Sequence, residues 1–456
     1  MNSIPEIDSE PITSKDKLIE YLASGCKTPD KWRIGTEHEK FLYLLEDYSP
    51  LRYDGPRGVE VFLKEMQRFG WKPIREEGNI IALNSKNKGA VTLEPGGQLE
   101  LSGAQLKTVH ETCSEVHEHR LQIGEVAKEL NIGVLGIGMI PNWKREDVNW
   151  VPKERYRIMR SYMPKVGKLG LDMMTRTCTV QVNLDYESEV DMVKKLRVST
   201  SLQPIATALW SNSPFTENKP NGAMSQRAIC WQNTDSDRTG MIPFIFNDNM
   251  SFEKYVDYAL DVPMYFIRRK KYIDVSGQSF RSFLNGKISG FEGELPSLTD
   301  WEDHLSTIFP EVRLKRFLEM RGADSGSWSS LCALPAFWTG ILYDRSSIDA
   351  AWDIAKNWKD NERQKLYLSV PREGLNTIIQ GTKVIDIAKE LLNISIYGLK
   401  SRSRLDHNSN DESIFLEPLL EILQTGKTPA EKLLDKFSNS RNNNIDYIFK
   451  EYGYGY

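Results

Sequence analysis

VTLEPGGQLELSG, residues 91–103, reads as two short strands joined by a tight turn. Apolar and polar residues alternate up to Glu94, Pro95-Gly96-Gly97 turns the chain, and Gln98-Leu99-Glu100-Leu101 resumes the alternation. Period-two patterning with Pro/Gly punctuation is the signature of a β-hairpin. Successive strand side chains point to opposite faces. Leu99 and Leu101 therefore share one face, and Gln98 and Glu100 share the other. A solvated outer face with two chance glutamates explains this hairpin as well as a functional face does. The pattern recurs elsewhere, however. In RIGTEHEKFLYLL, residues 33–45, Glu37 and Glu39 sit two apart on one strand face. In TCTVQVNLDY, residues 177–186, Val180, Val182 and Leu184 face one way while Thr179, Gln181 and Asn183 face the other. EVRLKRFLEMRG, residues 311–322, brings Glu319 and Arg321 two apart.

Two carboxylates a few ångströms apart repel by roughly 1 kcal/mol in water and by more when dry. Five on neighbouring strands, Glu37, Glu39, Glu94, Glu100 and Glu319, require cations between them. Hard divalent ions take oxygen ligands, and Mg2+ combines a few carboxylates with waters and substrate phosphates. About two or three Mg2+ ions bridging these acids to ATP would satisfy the charge. Arginine then clamps a phosphoryl group or a substrate carboxylate with its planar fork. No GxSxG, Walker A, HExxH or kinase HRD motif is present. Two other classes stay open on this pattern. A glycosidase needs only two carboxylates at fixed separation, and a binding or scaffold protein would show no turnover.

The composition bounds these readings. The 456 residues are 40% hydrophobic and 10% aromatic, enough for one large or two ordinary domains. The net charge of −4 argues against a general nucleic-acid binder. No run of about 18 apolar residues suggests a membrane span. The polar opening MNSIPEIDSEPITSKDK has the character of neither a secretory signal nor a transit peptide. Five cysteines without metal spacing fit a reducing compartment.

Along the chain, residues 1–14 read as a loose lead-in, followed by a short helix over 15–23. Helices are expected over 59–69 and 105–130, and over 189–210 with an interruption near Pro204. NIGVLGIGMIP, residues 131–141, reads as a buried strand whose GIG is a weak fragment of a dinucleotide fingerprint. Residues 155–168 form a basic helix: either a cationic outer face, or Arg and Lys placed to meet anionic groups. His110 and His117 share a helix face without a carboxylate to complete a metal site. Thr428-Pro429-Ala430-Glu431 is a capping box that opens a late helix. With no repeat or clean linker, residues 1–456 are expected to form one intertwined α+β catalytic domain. The active-site sheet falls within 15–330, a mainly helical part over 331–438, and a tail over 439–456.

RIGTEHEKF, LEPGGQLELSG, MPKVGKLGLDMMTRTCTVQVNLDY, SLQPIATALWSNSPF, DRTGMIPF, YALDVPMYF, TIFPEVRLKRFLEMRGAD and LCALPAFW, in this order, closely resemble the plant-type glutamate–cysteine ligases, which also occur in proteobacteria. The resemblance runs from about residue 15 to 345 and more loosely to about 430. It implies an antiparallel sheet curled into a funnel with helices outside, similar to the catalytic sheet of glutamine synthetase and guanidino kinases. It implies ATP-dependent joining of the L-glutamate γ-carboxyl to the L-cysteine amine through γ-glutamyl phosphate, the first step of glutathione synthesis. By the same resemblance, Glu37, Glu39, Glu94, Glu100 and Glu319 form the Mg2+ and ATP-phosphate shell, with Gln181 and Asn183 as polar contacts on the funnel wall. Arg155, Arg227 and Arg321 take the catalytic positions, and Lys165 and Lys168 are weaker phosphate candidates. Cys113 and Cys332 match a pair that forms a disulfide in members of the family. A second pair found in plant members is replaced here by Val275 and Gly290, against the plant dimer switch. A bacterial cytoplasmic enzyme, monomeric or a weak homodimer, with no nucleic-acid or membrane partner, is the expectation that follows.

Overall fold

The backbone alternation described above builds a single curved sheet. A computed structural model describes residues 10–86, 88–439 and 444–454; parts of the expected lead-in and tail lie outside them. Its strands are β1 Ile34–Leu44, β2 Lys72–Glu76, β3 Asn79–Ser85, β4 Gly89–Leu93, β5 Leu99–Ser102, β6 Ile132–Leu135, β7 Thr179–Leu184, β8 Val312–Leu314 and β9 Leu318–Asp324. Their spatial order is β8-β9-β7-β1-β5-β4-β3-β2, with β6 also paired to β1. All these pairings are antiparallel. The first half of β1 lies between β5 and β7, and its second half pairs with β6. This change of partner along one eleven-residue strand curls the sheet around β1. The β4–β5 hairpin closes as the sequence predicts: the Gly97 N–H donates to Glu94 O at 2.9 Å, and Gly97 takes a φ of +84°, which suits glycine.

Six helices frame the sheet: α1 Val109–Leu130, α2 Glu154–Val166, α3 Glu189–Leu209, α4 Gln226–Gln232, α5 Trp328–Leu342 and α6 Val384–Arg402. α1, α3 and α5 pack on the strands, and α6 packs on α5. Leu99, Leu101, Val180, Val182 and Leu184 are buried beneath this layer. Lys40 and His119 are also buried there, with Nζ and Nε2 3.1 Å apart.

Three sequence expectations shift. α1 starts at Val109 rather than 105, because Thr108 and Glu111 form a capping box, with the Thr108 N–H 3.1 Å from Glu111 Oε2. α3 runs through Pro204 without a break; the helix is buried from Val198 to Leu209, and packing on all sides fixes its path. The strand expected over 131–141 ends at Leu135 and continues as irregular chain, not as a helix, so the GIG fragment opens no dinucleotide site. The capping box at Thr428 forms, with its N–H 2.8 Å from Glu431 Oε2. Among the described residues no helix is long and apolar enough to cross a membrane.

Candidate active site

Strand register lines the acids up in rows on the concave face. Gln181, Glu37 and Ser102 stand opposite one another across β7, β1 and β5. Glu39, Glu100 and Thr92 form the next row across β1, β5 and β4. Asn183 faces Glu319 at the β9 edge and donates its amide to Glu37 Oε1 at 2.8 Å. These rows floor a cavity of about 280 Å3. Glu94 enters from the hairpin turn, Lys153 and Arg155 from the start of α2, Arg227 from α4, and Arg321 from β9.

The carboxylates at the centre are short of positive charge. Burial, and then repulsion from Glu319 and Glu100, raises Glu37 to about 7. Burial, and then Glu94 and Glu100, lifts Glu39 well above the usual carboxylate range. Burial raises Glu94 and Glu100 as well. Like charges directly opposite on paired strands are unfavourable. Among the described residues, the hydrogen bonds to Glu39 and Glu100 come from neutral donors: the Thr179 N–H donates to Glu39 Oε2 at 2.9 Å, and the Thr92 and Ser102 hydroxyls donate to Glu100.

Glu319 is different. It is fully buried and not part of the cavity lining. It pairs with Arg313 at 2.7 Å, with Lys315 at 3.2 Å, and with Arg321. Burial alone would raise it, but these three cations hold its carboxyl well below the usual range. Arg321 also donates to Gln181 Oε1 at 2.6 Å, so two of the expected site residues are fastened to each other.

The arginines separate in the same way. Arg321 is committed to Glu319 and Gln181. Arg155 makes a 3.3 Å contact to Ser306 Oγ and lies over the Phe266 ring, with Nε unpartnered. Arg227 donates to Arg321 O at 2.9 Å and has no ion pair among the described residues. Their neighbour Arg157 is exposed and paired with Glu154, so only Arg155 of that helix's arginines reaches the cavity. Lys165 and Lys168 are exposed and do not line it. The cavity lysine is Lys153, which sequence reading missed; burial lowers it to about 8, and it donates to Leu93 O at 2.9 Å. Its position two residues before Arg155 at a helix start was the available signal. Met159, Met173, Met174 and Trp231 on the apolar wall were also missed.

One expected feature does not form. All five cysteines are free thiols, so Cys113 and Cys332 are not bonded. They are nonetheless neighbours: burial, and then a hydrogen bond with Cys332, raises the Cys113 thiol. Among the described residues no group of three or more His, Cys, Asp or Glu side chains is gathered as a ready-made metal site.

A sheet floored with acids and walled with unspent arginines defines an enzyme that handles anionic small molecules. The profile of "Glutamate-cysteine ligase family 2" matches residues 33–451. "Glutamate--cysteine ligase, chloroplastic" of Medicago truncatula is 53% identical over 98% of this chain and 86% of its own length. The enzyme of the same name from Arabidopsis thaliana is 54% identical over 98% of this chain and 84% of its own length. The solved structure of glutamate–cysteine ligase from Francisella tularensis in complex with AMP shares the fold at a TM-score of 0.56 and 12% identity, covering 92% of this chain and 87% of that one. The chain belongs to glutamate–cysteine ligase family 2. The relatives also correct one expectation: they are chloroplastic plant enzymes, which points away from a bacterial cytoplasmic protein. Compartment is set by an address that receptors read, and the composition of a folded chain does not encode it.

Proposed function

We propose that this cavity is where ATP, L-glutamate and L-cysteine meet to form γ-glutamylcysteine, the first step of glutathione synthesis, by two successive displacements. A γ-carboxylate oxygen of glutamate attacks the γ-phosphorus of ATP, the bridging P–O bond breaks, and ADP leaves. The cysteine amine then attacks the γ-glutamyl carbonyl carbon, phosphate leaves, and the amine gives up its proton. Both steps bring anions together, so positioning and charge stabilisation carry the catalysis. Arg155 and Arg227 retain donors for phosphoryl and carboxylate oxygens. Lys153 adds an amine held at the hairpin by Leu93 O. Arg321 and Gln181 shape the wall, while Asn183 lies outside the lining and braces Glu37.

Glu37, Glu39, Glu94 and Glu100 line one cavity as oxygen donors, and Mg2+ asks for only about one or two carboxylates beside waters and substrate phosphates; this shared lining, with the raised affinity of all four for protons, is the observation that carries this reading. When bound, Mg2+ supplies charge compensation for these acids and the triphosphate. In this reading Glu319 serves the shell from behind, by fixing Arg321. The chain acts as one intertwined domain, because α5 packs directly on β7 and β1. Oxidation joins Cys113 to Cys332, and thiol titration before and after oxidation reads this directly. The function is tested by ADP release, which is expected only with Mg2+, L-glutamate and L-cysteine together and is lost in EDTA. An equal rate without cysteine would break the ordered scheme. Full activity in EDTA would remove magnesium from it.

A further inference from the structure

Behind the cavity wall, at the end of β9, Asp324 is a buried carboxylate that touches no cavity space. It accepts the Asn212 N–H at 2.9 Å, the Ser213 hydroxyl at 2.6 Å and the Ser225 hydroxyl at 2.8 Å. These two serines hold the start of α4. Ser225 is the N-cap of that helix, its Oγ accepting the Ala228 N–H at 3.2 Å. Ser213 Oγ accepts the Arg227 N–H at 3.2 Å. One carboxylate thus orients both hydroxyls that receive the first turn of the helix carrying Arg227. The guanidinium at the far end of that side chain is fastened to the same strand, through Arg321 O. The cradle is sealed: a Cβ at Gly138 would fall 2.2 Å from the Asp324 carboxyl carbon, so only glycine lets the 136–138 segment close over it. Burial lowers Arg227 from its ordinary value, and among the charges that oppose this Asp324 acts most strongly, ahead of Glu39 and Glu311.

We propose that Asp324, through Ser213 and Ser225, is a positioning residue for Arg227: it aims the guanidinium into the cavity and supplies its counter-charge from behind, which leaves the donors on the cavity side free for substrate oxygens. A carboxylate in front of Arg227 would consume those donors, whereas one behind it, acting through two hydroxyls and a helix cap, does not. The inference rests on Arg227 being a substrate-facing cation, and the test separates the two claims.

Asp324→Asn keeps the shape and loses the charge; Arg227→Lys keeps the charge and loses the fork. If Asp324 acts through Arg227, Asp324→Asn lowers kcat by about tenfold in the wild-type chain and by less than about twofold when Arg227 is already lysine, since both changes remove one geometry. A loss equally large in both backgrounds, or no loss in either, would overturn the positioning role. Wild-type kcat and KM for Arg227→Lys would instead overturn the reading of Arg227 itself. Should Asp324→Asn melt below the assay temperature, Ser213→Ala removes two hydrogen bonds of the cradle, the one given to Asp324 and the one accepted from the Arg227 N–H, keeps the carboxylate, and carries the same comparison, with the same outcomes deciding.

Discussion

The concave face of the sheet holds two acid environments a few residues apart. At the β9 edge, Glu319 is matched by Arg313, Lys315 and Arg321, and its charge is fully answered by the protein. At the β1–β5 centre, Glu39 stands opposite Glu100, and among the described residues both are hydrogen-bonded by neutral donors alone. Both places contain glutamate on alternating strands, yet one is a closed structural network and the other an open demand for cations. Alternation therefore marks which face is polar, while the bases that arrive from elsewhere in the fold decide whether an acid is structural or available to ligand.

The sharpest way to break this contrast is at the edge. Glu319→Gln leaves two buried arginines and a half-buried lysine without their shared carboxylate and is expected to lower unfolding free energy by about 3–5 kcal/mol. Denaturant titration reads it, and a change under about 1 kcal/mol would mean that the edge is no more structural than the centre. Substitution at the centre should act on rate. Glu39→Gln or Glu100→Gln is expected to cut turnover by about 10²-fold or more while the melting temperature holds or rises, because a like-charge pair is relieved. Unchanged turnover with native-like melting would take these residues out of the cation shell.

The smallest effect is a pH-dependent one at Glu37. Its folded value of about 7 lies above the ordinary carboxylate value of 4.5. The folded state thus holds a proton that the unfolded chain has released. Stability carried by this group is present below the ordinary value and is lost as pH rises through the folded one. Glu37→Gln does not titrate, so its stability advantage over wild type, measured without nucleotide or metal, should grow between about pH 4.5 and 7 to on the order of 2 kcal/mol. A constant difference across that window would show that Glu37 shares the settled condition of Glu319.

Much of the polar face was legible before any fold was known. Glu37 with Glu39, Gln181 with Asn183, and Gln98 with Glu100 each share a face by period-two spacing alone, and register then sets Glu37 beside Gln181 and Glu39 beside Glu100. That Arg155 enters the cavity while Arg157 does not, and that Lys153 joins it, was not legible, because which face of helix α2 turns to the cavity is set by contacts with distant segments such as Leu93. The pairing of Glu319 with Arg313 was equally hidden: the two oppose each other across β8 and β9, and register depends on the turn between those strands. Lys40 occupies a strand position that reads as an ordinary alternating residue, yet it is buried against His119, and burial brings its amine down to about 7.

The sequence by itself determined which side chains share a strand face, where the β4–β5 hairpin turns and where several helices are capped, because these follow from backbone geometry over a few residues. Only the tertiary structure decided which acids meet which bases. That depends on contacts such as Asp324 with Ser213 or Arg321 with Gln181, more than a hundred positions apart in the chain. Ionisation in a dry cavity is set by the charges within a few ångströms, and those neighbours come from the folding of distant segments rather than from adjacent residues.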